Sequence, residues 1–96
     1  MIYHKLIAIL FSEFRHMTEN TFLKKLGANI VKIRKSKGMT QLDLCVKIEM
    51  EDSYLSSIEN GRQNPSALTL LKIAEGIGCE VQDFFEFDGE ETKNKK

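Results

Sequence analysis

The sequence lacks tryptophan, contains a single proline and has only two cysteines among its 96 residues. Cys45 and Cys79 lie far apart, with no Cys-x-x-Cys pair and no histidine nearby, so neither a zinc site nor a disulfide framework is predicted. Such cysteines are typical of small buried side chains in a reducing compartment. We therefore expect a cytoplasmic protein that depends on its hydrophobic core.

The sequence also lacks net charge, because 14 acidic residues balance 14 basic ones. No overall field would draw the chain to nucleic acid or to anionic lipid, so a local patch must meet any such partner. The hydrophobic content of 42% excludes general disorder. A chain of 96 residues has the size of one small domain with one core.

Signals for a membrane or a catalytic function are absent as well. The hydrophobic stretch at residues 2–14 is interrupted by polar residues, is too short to span a bilayer and lacks a cleavage site for export. His4 and His16 have no matching nucleophile or carboxylate set, and there is no glycine-rich phosphate loop. We expect no enzyme activity, no cofactor, no metal, no membrane partner and no small-molecule ligand.

The N-terminal extension, residues 1–20, is unusually apolar and has the spacing of an amphipathic helix. Its apolar seam consists of Tyr3, Ile7, Leu10, Phe14 and Met17. So apolar a face must be covered by the same domain or by a second chain, and we favour a dimer contact. Two alternatives stay open: a strand over residues 6–11, and a translation start at Met17 that would make the preceding residues an unused upstream extension.

Helical spacing continues through residues 21–87, which we predict to be one all-α domain of five helices. Gly38 and Gly78 have the features of helix C-terminal caps, and Thr40 and Ser66 those of N-terminal caps. Gly76 inside the fourth helix indicates a close helix crossing. The tail at residues 88–96 has no apolar residue, so we expect it to be disordered.

The stretch from Met39 to Asn60 is predicted to form two short helices joined by a tight turn. Asp43 can complete a capping box at the first of these helices. Inward-facing Leu55 and Ile58 in the second helix leave short polar side chains on its outer face. This outline is that of a helix-turn-helix module.

Three segments make the likeness more specific: LGANIVKIRKSKGMTQLDL, SYLSSIENGRQNPS and LLKIAEGIG. In this order and at this spacing they resemble the phage-repressor (XRE, Cro and lambda repressor-like) DNA-binding family, from about Phe22 to Phe85. The resemblance implies a lambda repressor-like domain of five helices. It also implies a repressor-like transcriptional regulator that binds double-stranded DNA in a sequence-specific manner as a homodimer.

The resemblance assigns roles to individual residues. Gln41, at a helix N-terminus with free backbone N–H groups, matches a glutamine that grips the DNA backbone. Arg34 and Glu59 match a structural ion pair that fixes the recognition helix. Base contacts are expected from the exposed early part of that helix, which enters the major groove. The expected base contacts are Asp52, Ser53 and Ser57, with Tyr54 and Ser56 beside them, and the other expected phosphate contacts are Asn60, Arg62 and Gln63.

The sequence departs from the family pattern around the turn. Glu49 replaces the usual glycine, so a non-glycine residue is expected to adopt a positive φ. Cys45 replaces a customary alanine. Glu49, Glu51 and Asp52 together place three carboxylates where phosphates would approach, which predicts modest DNA affinity. The alternative function is therefore an antitoxin-like or adaptor module that binds another protein, with weak DNA binding.

Overall fold

The computed structural model describes residues 18–87. The helices in this range are α1 (Glu19–Ser36), α2 (Gln41–Ile48), α3 (Asp52–Glu59) and α4 (Ala67–Ile77), followed by a short 3₁₀ helix at Val81–Phe85. Since the described range contains these five helical elements and no strand, the predicted all-α class is confirmed.

The first described helix starts slightly earlier than the sequence predicts. Helix α1 begins at Glu19, two residues before the expected start of the domain at Thr21. The expected N-terminal helix or strand and the expected disordered tail lie outside the described residues. The division into extension, domain and tail therefore stays a prediction.

Capping residues set the helix boundaries as expected. The Thr40 hydroxyl accepts a hydrogen bond from the Asp43 backbone N–H (2.9 Å), and the Asp43 carboxylate accepts one from the Thr40 N–H (2.9 Å). At α4, the Ser66 hydroxyl accepts from the Thr69 N–H (3.1 Å). These bonds satisfy backbone donors that have no partner within the helix, and each cap stabilises its helix by about 1 kcal/mol.

The core lies where all five helical elements meet. Helix α1 packs on α3 and on the 3₁₀ helix, while α2 packs on α3 and α4. The largest fully buried side chains are Ile30, Leu44, Leu55, Ile58, Ile73 and Phe84. Burying each of them stabilises the fold by roughly 1.5–3 kcal/mol. The Asn29 side-chain amide secures the 3₁₀ helix to α1 by donating to the carbonyls of Phe84 (2.9 Å) and Glu86 (3.1 Å).

Two glycines allow helices to cross closely. A Cβ at Gly76 would overlap the side chains of Ile48 and Leu44, which confirms the close crossing expected there. A Cβ at Gly27 would overlap the backbone carbonyls of Ile58 and Glu59 instead. Backbone atoms cannot rotate away as side chains can. Gly27 therefore sets the distance between α1 and the end of α3.

We expect Gly27→Ala to destabilise the domain more than Gly76→Ala does. Overpacking costs about 1–3 kcal/mol, and we expect the upper end for Gly27 because α3 itself must move. Urea unfolding of both variants measures this difference, with the exposed-site variant Lys35→Ala as the control. An equal or smaller loss for Gly27→Ala would show that α3 adjusts without cost.

Candidate nucleic-acid interface

Helices α2 and α3 form the predicted helix-turn-helix, and the turn between them takes a left-handed residue. Glu49 has φ 57° and ψ 52°, so the expected positive φ is confirmed at this non-glycine position. The next residue, Met50, donates its backbone N–H to the Cys45 carbonyl (3.0 Å) and packs against the core. Helix α3 then begins at Asp52 without a side-chain cap.

An ion pair between α1 and α3 lies beneath this motif. The Arg34 Nε donates to Glu59 Oε2 (2.8 Å), and Arg34 Nη2 donates to Glu59 Oε1 (3.0 Å). Both residues are buried, at 5% and 7% exposure. The third guanidinium nitrogen, Nη1, donates to the Met39 carbonyl (2.9 Å), just before α2. One arginine thus connects the end of α1 with the end of α3 and the start of α2.

Gln41 joins the same network from the first position of α2. Its Nε2 donates to Glu59 Oε1 at 2.8 Å, and the side chain is partly buried. The carboxylate of Glu59 therefore receives hydrogen bonds from α1 and from α2 while it belongs to α3. Since Gln41 is an expected phosphate contact, this bond connects the candidate interface with the buried ion pair.

The residues expected to contact bases differ in their exposure. Asp52 and Ser53 are exposed at the start of α3, as a groove-reading end requires. Ser56 and Ser57 are half-buried. Tyr54 is also half-buried and packs against the core, so part of its ring has a structural role.

The residues expected to contact phosphate after α3 are exposed. The Asn60 side chain folds back and donates to the Ser56 carbonyl (2.8 Å), which ties it to α3. Arg62 and Gln63 are exposed in the following loop, and the Arg62 backbone N–H donates to the Ser57 carbonyl (2.8 Å). Gly61, with φ 77°, packs against the backbone of α1. This loop is therefore held at the end of α3 on the side of α1.

Negative charge surrounds the start of α3. Glu49, Glu51 and Asp52 are all exposed there. Among the described residues of the motif and the loop after it, Lys47 and Arg62 are exposed cations. This balance would weaken attraction to phosphate, so polar contacts and shape must contribute more of any DNA affinity.

Two titratable groups of α2 have shifted pKa values. The hydrogen bond from the Thr40 backbone N–H, and after it the Thr40 hydroxyl, lowers the pKa of Asp43. The bond that the Asp43 carboxylate contributes to the capping box is therefore retained at neutral pH and weakens as the pH falls through that lowered pKa. Burial raises the pKa of the Cys45 thiol to about 11, with Asp52 adding to the shift. Cys45 is therefore a protonated core residue at neutral pH. It replaces the customary alanine at a fully packed position.

Two further contacts of the site were not predicted. Gly27 approaches the end of α3 closely, and the Gln41 amide bonds to Glu59. The Gly27 contact could have been predicted from the sequence, because the seven-residue spacing places Gly27 and Arg34 on one face of α1. Nothing in the sequence indicated which atom of Gln41 would face Glu59.

Within residues 18–87, no cluster of histidine, cysteine and carboxylate side chains could hold a metal ion. No helix in the same range is both long and apolar enough to cross a membrane. The candidate functional groups at this surface are therefore the exposed start of α3, Gln41 and the loop at residues 60–63.

Comparison with known proteins agrees with this geometry. The helix-turn-helix family model HTH_3 matches residues 30–84. The immunity repressor protein of Bacillus phage phi105 is 39% identical over 71 residues, which cover 74% of this chain and 47% of the repressor. Control protein C.MunI of Mycoplasma sp is 36% identical over 62 residues, covering 64% of this chain and 84% of that protein.

A solved structure gives the same result. The restriction-modification controller protein C.Esp1396I, crystallised as a tetramer in complex with its natural 35 base-pair operator, is 38% identical and superposes with a TM-score of 0.61. The superposition covers 68% of this chain and 86% of the controller. The chain therefore belongs to the XRE-type helix-turn-helix family. Members of this family are regulators of transcription that bind double-stranded DNA.

We expect Glu49→Gly to stabilise the domain by about 0.5–1 kcal/mol, because a left-handed conformation costs a non-glycine residue about 1–2 kcal/mol and glycine much less. Thermal and urea unfolding measure the gain. The control is Glu49→Gln, which removes the charge but keeps the side chain and should leave stability nearly unchanged. If both variants gain the same unfolding free energy, charge repulsion and not backbone strain destabilises this turn.

Proposed function

We propose that the chain is a repressor-like transcriptional regulator that binds double-stranded DNA in a sequence-specific manner as a homodimer. The observation that carries this proposal is the fixing of α3 by Glu59 to Arg34 of α1 and Gln41 of α2. Because α3 is hydrogen-bonded to both α1 and α2, it can present a constant set of side chains to a groove of DNA. We expect it to act in the cytoplasm, where the DNA of bacteria and their phages is found.

Base reading is assigned to the first turns of α3, since this end of a recognition helix enters the major groove. Ser53 can bond to several base edges, and Asp52 can accept a hydrogen bond from a cytosine amino group. Ser57 lies one turn further along the same face. Tyr54 and Ser56 flank this row and would contribute through their outer atoms. Short side chains of this kind favour a permissive readout.

Backbone contacts are assigned to Gln41, Asn60, Arg62 and Gln63. Three of these four side chains are neutral, so few counterions would be released on binding. The affinity should therefore depend weakly on salt, with a slope of log K against log salt of roughly −0.9 for each phosphate that a cation neutralises. In this respect the interface differs from one that attracts DNA mainly by charge.

A dimer follows from the size of the reading surface. One α3 of eight residues can contact only a few base pairs, and two copies related by a two-fold axis would read two half-sites about 34 Å apart. The oligomeric operator complex of C.Esp1396I supports this arrangement. The operator of this chain is then expected to be roughly palindromic.

The exposed carboxylates favour a second candidate function. Glu49, Glu51 and Asp52 would repel phosphates, which suits an antitoxin-like or adaptor module whose main partner is a protein. In that case the apolar N-terminal extension would be the contact with the partner. The two candidates differ in whether a specific DNA site exists.

Selection from a pool of random duplexes tests the first function. We expect enrichment of a short site with dyad symmetry at low salt. Gln41→Ala should then weaken binding to every site alike, whereas Ser53→Ala and Ser57→Ala should change the preferred base, each by about 1–3 kcal/mol of discrimination. Gln82→Ala, on the exposed side of the 3₁₀ helix, is the control and should bind as the wild type does.

Two outcomes would count against this assignment. Enrichment of nothing above background at low salt would reject sequence-specific DNA binding and favour the adaptor function. Unchanged base preference in both serine variants would show that another face of α3 reads the site.

Light scattering after size-exclusion chromatography tests the dimer. We expect the full chain to have the mass of a dimer and a chain that starts at Met17 to have a lower average mass at the same concentration. Equal masses would show that residues 1–16 do not contribute to self-association. A monomeric full chain at all concentrations would reject the homodimer.

A further inference from the structure

We infer that Glu59 is the positioning residue for the phosphate contact of Gln41, in addition to being the partner of Arg34. This inference rests on the proposed DNA binding and states how one backbone contact is aimed. It starts from the 2.8 Å hydrogen bond between Gln41 Nε2 and Glu59 Oε1.

The charge of Glu59 decides which end of the Gln41 amide faces inward. A glutamine amide has two donor hydrogens on nitrogen and an acceptor oxygen, so it can usually turn either end toward a partner. An ionised carboxylate only accepts hydrogen bonds, and this one already accepts two from the Arg34 guanidinium. The nitrogen of Gln41 is therefore directed toward Glu59 and its oxygen away from it.

The bond to Glu59 uses one of the two Nε2 hydrogens. The second remains for another acceptor, and it lies at the first residue of α2. There the backbone N–H groups of Gln41 and Leu42, the first two helical positions, have no partner within the helix. The next two are engaged, because the Asp43 N–H donates to the Thr40 hydroxyl and the Leu44 N–H to the Thr40 carbonyl. One side-chain donor and two backbone donors of the first two residues of α2 are therefore available to an anion.

This arrangement fits an oxygen of the DNA backbone. A phosphate oxygen can accept several hydrogen bonds, and the dipole at the start of α2 favours its negative charge. Without Glu59, the Gln41 amide could rotate and present its oxygen, which would repel the phosphate. Glu59 would therefore increase DNA affinity through the orientation of a neighbour, while being itself negative and buried.

A double-mutant cycle on DNA affinity separates this role from a purely structural one. Glu59 is removed together with Arg34 in the variant R34M/E59L, because replacing both partners of a buried ion pair by apolar residues is often neutral for stability. The cycle comprises the wild type, Q41A, R34M/E59L and the triple variant. The ligand is the duplex recovered from the random pool, and unfolding curves confirm that all four proteins are folded.

We expect R34M/E59L to bind the duplex about tenfold more weakly than the wild type. In the Q41A background, the same double substitution should weaken binding about twofold or less. A difference of this size is within the range of coupling between residues in contact. Equal losses in both backgrounds would overturn the inference, since Glu59 would then act only by holding α3. A wild type that binds no duplex would instead reject DNA binding, and with it the phosphate role. The wild-type titration alone distinguishes these failures.

Amide exchange in the free wild-type protein gives a second measurement if R34M/E59L does not fold. One side-chain amide hydrogen of Gln41 should exchange more slowly than those of exposed Gln82, because it is bonded to Glu59. It should stay protected when the selected duplex is added, while the other hydrogen shifts. Exchange as fast as at Gln82 would overturn the inference.

Discussion

The carboxylate of Glu59 connects α1, α2 and α3, whose relative positions define the proposed recognition surface. It belongs to α3, accepts two hydrogen bonds from Arg34 of α1 and accepts one from Gln41 at the start of α2. Removing both charges from water is costly, and their attraction repays this cost only with good geometry and additional hydrogen bonds. Here the additional bonds are present. The pair and these bonds together fix the orientation of α3 relative to α1 and α2.

Close packing and backbone geometry also help to fix the relative positions of these helices. Gly27 brings α1 close to the backbone at the end of α3, and Gly76 brings α4 close to α2. Glu49 accepts a left-handed conformation so that α3 can leave α2 at the angle of the motif. The domain thus combines a left-handed residue and a buried ion pair close to α3, the proposed recognition helix, with an otherwise apolar core in the described range. Strain of this kind is typically found near functional sites.

Much of this arrangement could be predicted from the sequence. Helix boundaries followed from Thr40, Ser66 and the glycines, because caps act over only a few residues. The positive φ of Glu49 followed from its place in the motif. Predictions were weaker where atoms from separate helices meet, since sequence spacing does not determine which end of an amide faces a carboxylate. The Gln41 contact could therefore be found only from the assembled helices.

A structure of the protein bound to its selected duplex tests whether Glu59 positions Gln41 on the DNA backbone. It would show whether Gln41 Nε2 bridges Glu59 and the DNA backbone. We predict that Nε2 lies within about 3.2 Å of Glu59 Oε1 and of a phosphate oxygen at the same time. A complex in which Gln41 has left Glu59, or in which α2 begins away from any phosphate, would contradict it.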